Sequence, residues 1–108
     1  MYLPNAENAF IANEKLLEYL LDDENSKGKS VFFNGYGYFK DNFEVLIQDL
    51  KSLALHGQVT KIEETKFGVK FVVDMEIVTA NNRTATILSV WMIDNNSNFP
   101  RLITAYPL

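Results

Sequence analysis

Apolar positions along this chain change period once, near residue 58, and the change separates a helical part from a sheet part. Leu16, Leu17, Leu20 and Leu21 recur at helical spacing and predict an apolar face over about two turns. Asn13 stands where an N-cap belongs, and Glu14 adds negative charge to the first turn. Asp22-Asp23-Glu24-Asn25 opposes the dipole at the other end, so the chain is expected to turn out there. Phe43, Leu46, Ile47, Leu50, Leu53 and Ala54 form one stripe, with Glu44, Gln48, Asp49 and Lys51 opposite, which predicts a long helix over about residues 42–55. Asp41 is its expected N-cap, and Gly57 its expected left-handed stop. Between these helices, Ser30-Val31-Phe32-Phe33 reads as either a helical turn or a short strand, and Gly35-Tyr36-Gly37-Tyr38 as a loop.

From Gln58 onward the period is two. Val59 to Glu64 predicts an exposed, edge-like strand, and Thr65-Lys66-Phe67-Gly68 its turn. Val69, Phe71, Val73, Met75 and Ile77 alternate with more polar neighbours, as in a half-buried strand. Ala80-Asn81-Asn82-Arg83 is the next turn, since Asn tolerates positive φ. Thr84 to Ile93 is apolar on both faces and so central. Leu102 to Tyr106 is the last strand. Short connections make neighbours antiparallel. The expected object is an α+β domain over residues 1–108, with N-terminal helices packed on one face of a four-stranded antiparallel meander. Leu3-Pro4-Asn5-Ala6 opens the chain in extended or turn-like form, and Phe10 and Ile11 are expected to pin that segment to the body.

Composition narrows the class. Apolar residues make up 47% and aromatics 13% of 108 residues, enough for one core without staples. There is no cysteine, which excludes disulfides, thiolate zinc sites and a cysteine nucleophile. No signal-peptide pattern and no membrane-length apolar run occurs, so a cytoplasmic protein off the membrane is expected. The net charge of −4 disfavours non-specific RNA or DNA binding and mildly favours a soluble cytosolic protein, or one that docks on a basic partner.

Each chemical signal has a plainer reading beside it. His56, the only histidine, suits a general base by its pKa, but its place at a helix C-terminus suits the dipole better. Asp22-Asp23-Glu24 lacks the spacing of a calcium loop and reads as a solvated turn, and no metal or cofactor is expected. Lys27-Gly28-Lys29 lacks the strand and glycine-rich loop of a nucleotide site. Phe32, Phe33, Tyr36, Tyr38 and Phe39 suit either base stacking or core packing with the tyrosines at the rim. The end of the chain, from Asn98 to Leu108, carries a guanidinium, a hydroxyl and a phenol on a strand-like run. Arg101, Thr104 and Tyr106 are therefore the candidate catalytic group, with Lys29, Arg83 and Trp91 as candidate substrate-binding residues, Trp91 as a stacking wall. In a regular strand Arg101 would face away from Thr104 and Tyr106, so the group needs a bulge or the effect of Pro100 to converge.

The chain resembles a family of small bacterial domains of unknown function. The likeness lies in Leu3-Pro4-Asn5-Ala6, Lys15-Leu16 with Tyr19-Leu20-Leu21, Gly28-Lys29 with Phe32-Phe33, Val72-Val73-Asp74, Arg83-Thr84-Ala85-Thr86, Trp91, and Phe99 through Pro107. That family looks to occur both as small proteins and as end modules of larger secreted ones, without an established activity. In its order of elements and its Thr104-Ala105-Tyr106-Pro107 ending, the chain is also similar to the barnase–EndoU–colicin–RelE superfamily of toxin ribonucleases. The resemblance implies metal-independent RNA cleavage, with Thr104 and Tyr106 flanking the scissile phosphate, Arg101 binding it, and Lys29 or Arg83 adding charge. The alternative is a non-catalytic module: an immunity- or antitoxin-like protein, or one pairing with its own copy through the 59–64 edge.

Overall fold

Two hydrophobic periods become two layers. The computed structural model describes residues 1–108. Its sheet runs β1 (Gln58–Glu64), β2 (Gly68–Val78), β3 (Thr84–Asp94) and β4 (Arg101–Pro107), in spatial order β1-β2-β3-β4 with every pair antiparallel. The helices precede it: α1 (Asn13–Lys15), continued by a π-helical turn (Leu16–Leu20), then α2 (Lys29–Gly35) and α3 (Phe43–His56). This is the expected α+β meander. No helix is long and apolar enough to cross a membrane.

The core lies between the layers. Leu16, Leu20, Phe33, Leu46, Leu50 and Leu53 from the helices meet Phe71, Val73, Ile87, Trp91, Leu102 and Ala105 from the sheet. The ambiguous segment at 30–33 is helical, because Ser30 and Phe33 turn inward while Val31 and Phe32 remain exposed. Tyr38 is not at the rim. It is fully buried, edge-on to Phe33 with ring centroids 6.1 Å apart. Its hydroxyl donates to Asp49 Oδ2 at 2.5 Å.

Burial, and then the Asp49 carboxylate, push the Tyr38 phenol well above its ordinary value. The unfolded chain releases this proton from about pH 10 upward and the folded chain does not, so stability falls as pH rises through that range. Tyr38→Phe is expected to cost about 1–2 kcal/mol at neutral pH, by loss of a hydrogen bond to a charged group. The gap between variant and wild type should narrow above about pH 10. Urea titrations at neutral and alkaline pH measure both effects, and a gap that widens with pH would contradict the assignment.

Three helix ends differ from expectation. Ala12, not Asn13, is the N-cap of α1, and no side chain caps it, so Asn13 lies one residue inside the helix. Asp41 lies in a 3₁₀ turn (Lys40–Asn42), and Asn42 precedes α3. The Asn42 side chain holds that turn by accepting from Phe39 N–H at 2.7 Å and donating to Gly37 O at 2.9 Å. Gly57 is extended (φ −74°, ψ 164°) rather than left-handed. Glycine is needed there for proximity: a Cβ would sit 2.7 Å from Leu53 O and from Val73 Cγ1, where α3 turns directly onto the sheet.

Gly68 is tighter still. A Cβ there would lie 2.3 Å from Ile93 O, backbone of the neighbouring strand. Gly68→Ala is therefore expected to cost about 1–3 kcal/mol in strain at the β1–β2 turn. A thermal melt indistinguishable from wild type would refute this.

The chain ends are tied down by backbone. Phe10 N–H donates to Pro100 O (2.8 Å) and Phe10 O accepts from Leu102 N–H (3.0 Å), a short parallel bridge on the outer edge of β4. Ile11 is buried as expected, but Phe10 pins the segment through its main chain, its ring being exposed. Leu108 N–H reaches Thr86 O at 2.8 Å.

Candidate functional site at the β4 edge

β4 carries a bulge. Leu102 pairs with Trp91 and Thr104 with Val90, leaving Ile103 as the extra residue. Leu102 and Ala105 consequently both enter the core although three residues apart. Strand parity changes between them, so Arg101, Thr104 and Tyr106 fall on the same side of β4. Composition and alternation alone gave no means of placing this bulge.

The groups that meet Thr104 and Tyr106 come from the helices. Tyr19, in the π-helical turn, places its hydroxyl 3.3 Å from Thr104 Oγ1. Lys29, first residue of α2, holds its ammonium 5.4 Å from the Tyr19 ring centroid and 5.9 Å from that of Tyr106. Lys15 lies a further 5.4 Å from the Tyr19 ring. Two cations therefore bracket one phenol on an acidic protein. The Tyr19 phenol is held below its ordinary value, chiefly by the Thr104 hydrogen bond against an opposing burial effect, then by the ammonium of Lys29 and the charge of Lys15.

Tyr19 was not legible as a site residue. It sits among core leucines, and its orientation depends on the widened turn, closed by Leu21 N–H to Leu16 O at 2.8 Å. Lys15 and Tyr19 at i and i+4 are the one sequence signal that could have shown it.

The remaining candidates do not join this cluster. Arg101 is paired with Asp94 at two points, Nε–Oδ2 2.7 Å and Nη2–Oδ1 3.1 Å. That pairing holds the Asp94 carboxyl below the usual carboxylate range. Arg83 sits at the β2–β3 hairpin, its guanidinium 5.1 Å from the Tyr36 ring centroid and its Nη1 3.4 Å from Gly35 O. Trp91 is fully buried and donates its indole N–H to Ser89 Oγ at 2.8 Å, so it packs the core and forms no exposed stacking wall. His56 ends α3 beside β1, the far edge of the sheet. Three strand spacings, about 14 Å, separate β1 from β4, so His56 does not join Tyr106. Asp22 is bound to Lys40 Nζ at 2.8 Å and accepts from the Asn25 N–H at 3.0 Å, which makes the acidic run a pinned turn.

Fold and site together define a small helix-on-sheet α+β domain with a lysine–tyrosine–threonine cluster at one sheet edge. The chain belongs to the family described as domain of unknown function DUF6883, whose model matches residues 2–108. No curated protein matches it. In fold it is similar to a chain of a contact-dependent growth inhibition toxin–immunity protein complex from Klebsiella pneumoniae 342. The TM-score is 0.70 at 13% identity, over 91% of this chain and 98% of the other. At that identity the likeness concerns architecture.

Proposed function

We propose that this domain is a toxin-like, metal-independent ribonuclease module that acts on an RNA phosphodiester at the β4 edge. The carrying observation is the Lys29 ammonium set between Tyr19 and Tyr106, with Thr104 bonded to the Tyr19 hydroxyl. The likeness in fold to a chain of a toxin–immunity protein complex supports a toxin-system protein, on either side of such a pair. Net acidity does not oppose a local site, because Lys15 and Lys29 gather positive charge where the phosphate would lie.

The chemistry follows from the side chains. Tyr19, as phenolate, takes the proton of the RNA 2′-hydroxyl, and that oxygen attacks the adjacent phosphorus. Lys29 stabilises the charge that develops on the phosphorane. The bond from phosphorus to the 5′ oxygen breaks, and Tyr106 gives that oxygen a proton. The products are a 2′,3′-cyclic phosphate and a 5′-hydroxyl. Solvent then returns the proton from Tyr19 to Tyr106. Arg101 would take part only by exchanging Asp94 for the phosphate.

The base is the form without its proton, so cleavage should accelerate as pH rises toward the lowered Tyr19 value. Thr104→Val removes the largest cause of that lowering and should move the rising limb to higher pH. A pH–rate profile left in place by Thr104→Val would exclude Tyr19 as base. Purified protein that cleaves no RNA at high concentration would exclude the activity.

A protein partner is the second reading, favoured by the outer edge of β1. Every residue of that strand but Val59 is exposed, and only its start is covered, by Val59 N–H to Met1 O at 2.9 Å. Such an edge accepts an added strand, as in an immunity- or antitoxin-like protein bound to its cognate partner or in a module that pairs with its own copy. Light scattering after size exclusion, followed by capture from the source cell, tests it, and a strict monomer that retains nothing would count against it.

A further inference from the structure

We infer that α2 carries a track for single-stranded RNA leading away from the β4 edge, with Phe32 as the platform on which a base stacks. The inference rests on the ribonuclease reading and adds to it the form of the substrate. Lys29, Phe32 and Tyr36 stand at i, i+3 and i+7, one stripe along α2 and its C-terminal flank. The stripe begins at Tyr106 through Lys29 and ends at Arg83, which lies over the Tyr36 ring. Its length is about 11 Å at the helical rise, room for two successive nucleotides between the two cations.

Phe32 is 59% exposed in the middle of this stripe, while the neighbouring Phe33 is fully buried. With Phe33 turned into the core and Phe32 turned to water, the Phe32 ring face is open to a stacking partner. Arg83 has no carboxylate partner: its contacts are Gly35 O and the Tyr36 face, so its remaining N–H groups are free for a phosphate. An exposed ring between two cations fits a splayed single strand, whose bases offer their faces and whose backbone follows the charges. A paired strand hides its base faces and would gain only the charge contacts.

The experiment is fluorescence anisotropy with a short 5′-labelled RNA carrying 2′-O-methyl groups, which binds without being cut, alone and annealed to its complement. The single strand should bind more tightly than the duplex. Phe32→Ala and Phe32→Leu should each weaken single-strand binding on the order of tenfold, and Phe32→Trp should preserve it. Arg83→Ala should weaken binding and reduce the salt dependence by about one counterion. Thermal melts of each variant establish that the fold is intact. Equal affinity for duplex and single strand, or a Phe32→Leu variant that binds like wild type, overturns the track. If the track fails while Lys29→Ala still abolishes cleavage, the ribonuclease reading survives alone; wild-type protein that neither binds nor cuts RNA removes both.

Discussion

On the proposed ribonuclease reading, Lys29→Ala is expected to slow RNA cleavage by about two to three orders of magnitude, the usual cost of removing a group that stabilises developing charge. Lys29 lies between two phenol rings and makes no ion pair, so its charge is available to a substrate. Its side chain is only partly buried, and the fold should lose no more than about 1 kcal/mol. Lys29→Arg keeps the charge but replaces a compact ammonium with a planar fork and should recover part of the rate. Arg101→Ala provides the contrast. Because Asp94 already holds that guanidinium, its loss should reduce the rate far less than the loss of Lys29. Initial rates on a labelled RNA with each variant decide the matter. A Lys29→Ala enzyme as fast as wild type, or an Arg101→Ala enzyme that is inert, would move the phosphate site to the other end of β4.

Trp91→Ala should carry the largest stability cost in the chain, about 3–5 kcal/mol. Trp91 is fully buried on β3, between Phe71 on β2 and Leu102 on β4, under the helices. Removing the indole opens a cavity that the surrounding β-strands cannot close, since their registers are locked on both sides of β3. It also strips Ser89 of the donor at 2.8 Å, although the Ser89 hydroxyl keeps its own bond to Val73 O at 2.9 Å. Against a total stability of about 5–15 kcal/mol, the melting temperature should fall by roughly 15–25 °C. Trp91→Phe refills most of the space and should lose less than half as much. Paired urea and thermal denaturation of these two variants measures the difference, and a Trp91→Ala protein melting within a few degrees of wild type would show that the indole is not the keystone of the sheet–helix interface.

The two variants also separate two uses of one surface reading. Lys29 and Trp91 both looked like substrate-binding residues in the sequence, and only their burial distinguishes them. A tryptophan at an alternating position of a strand apolar on both faces is equally compatible with either side of the sheet. Which face the helices cover is decided by the packing of Leu46, Leu50 and Leu53, far away in the chain.

Architecture was legible because it depends on local periodicity. The leucine stripe of α3, the alternation from Val69 to Ile77, the Asn81-Asn82 turn with Asn82 at φ 68°, and the exposed character of β1 are each written within a dozen residues or so. Thr104 and Tyr106 were visible as a polar pair for the same reason, being two apart on one strand. The helix ends were less legible, because Gly57 serves a close approach to Val73 that no neighbour in sequence announces.

By itself, then, the order of residues determined two layers, their sequence along the chain and the strand that carries the hydroxyls, since hydrophobic period acts over short distances. Tertiary structure alone decided which cation meets those hydroxyls. Lys29 and Tyr19 stand more than seventy residues from Tyr106 and Thr104, and they arrive there because a bulge at Ile103 turns β4 while a π-helical turn swings Tyr19 to its edge. Arg101, nearer in the chain, is instead held by Asp94, because strand pairing brings the end of β3 beside the start of β4.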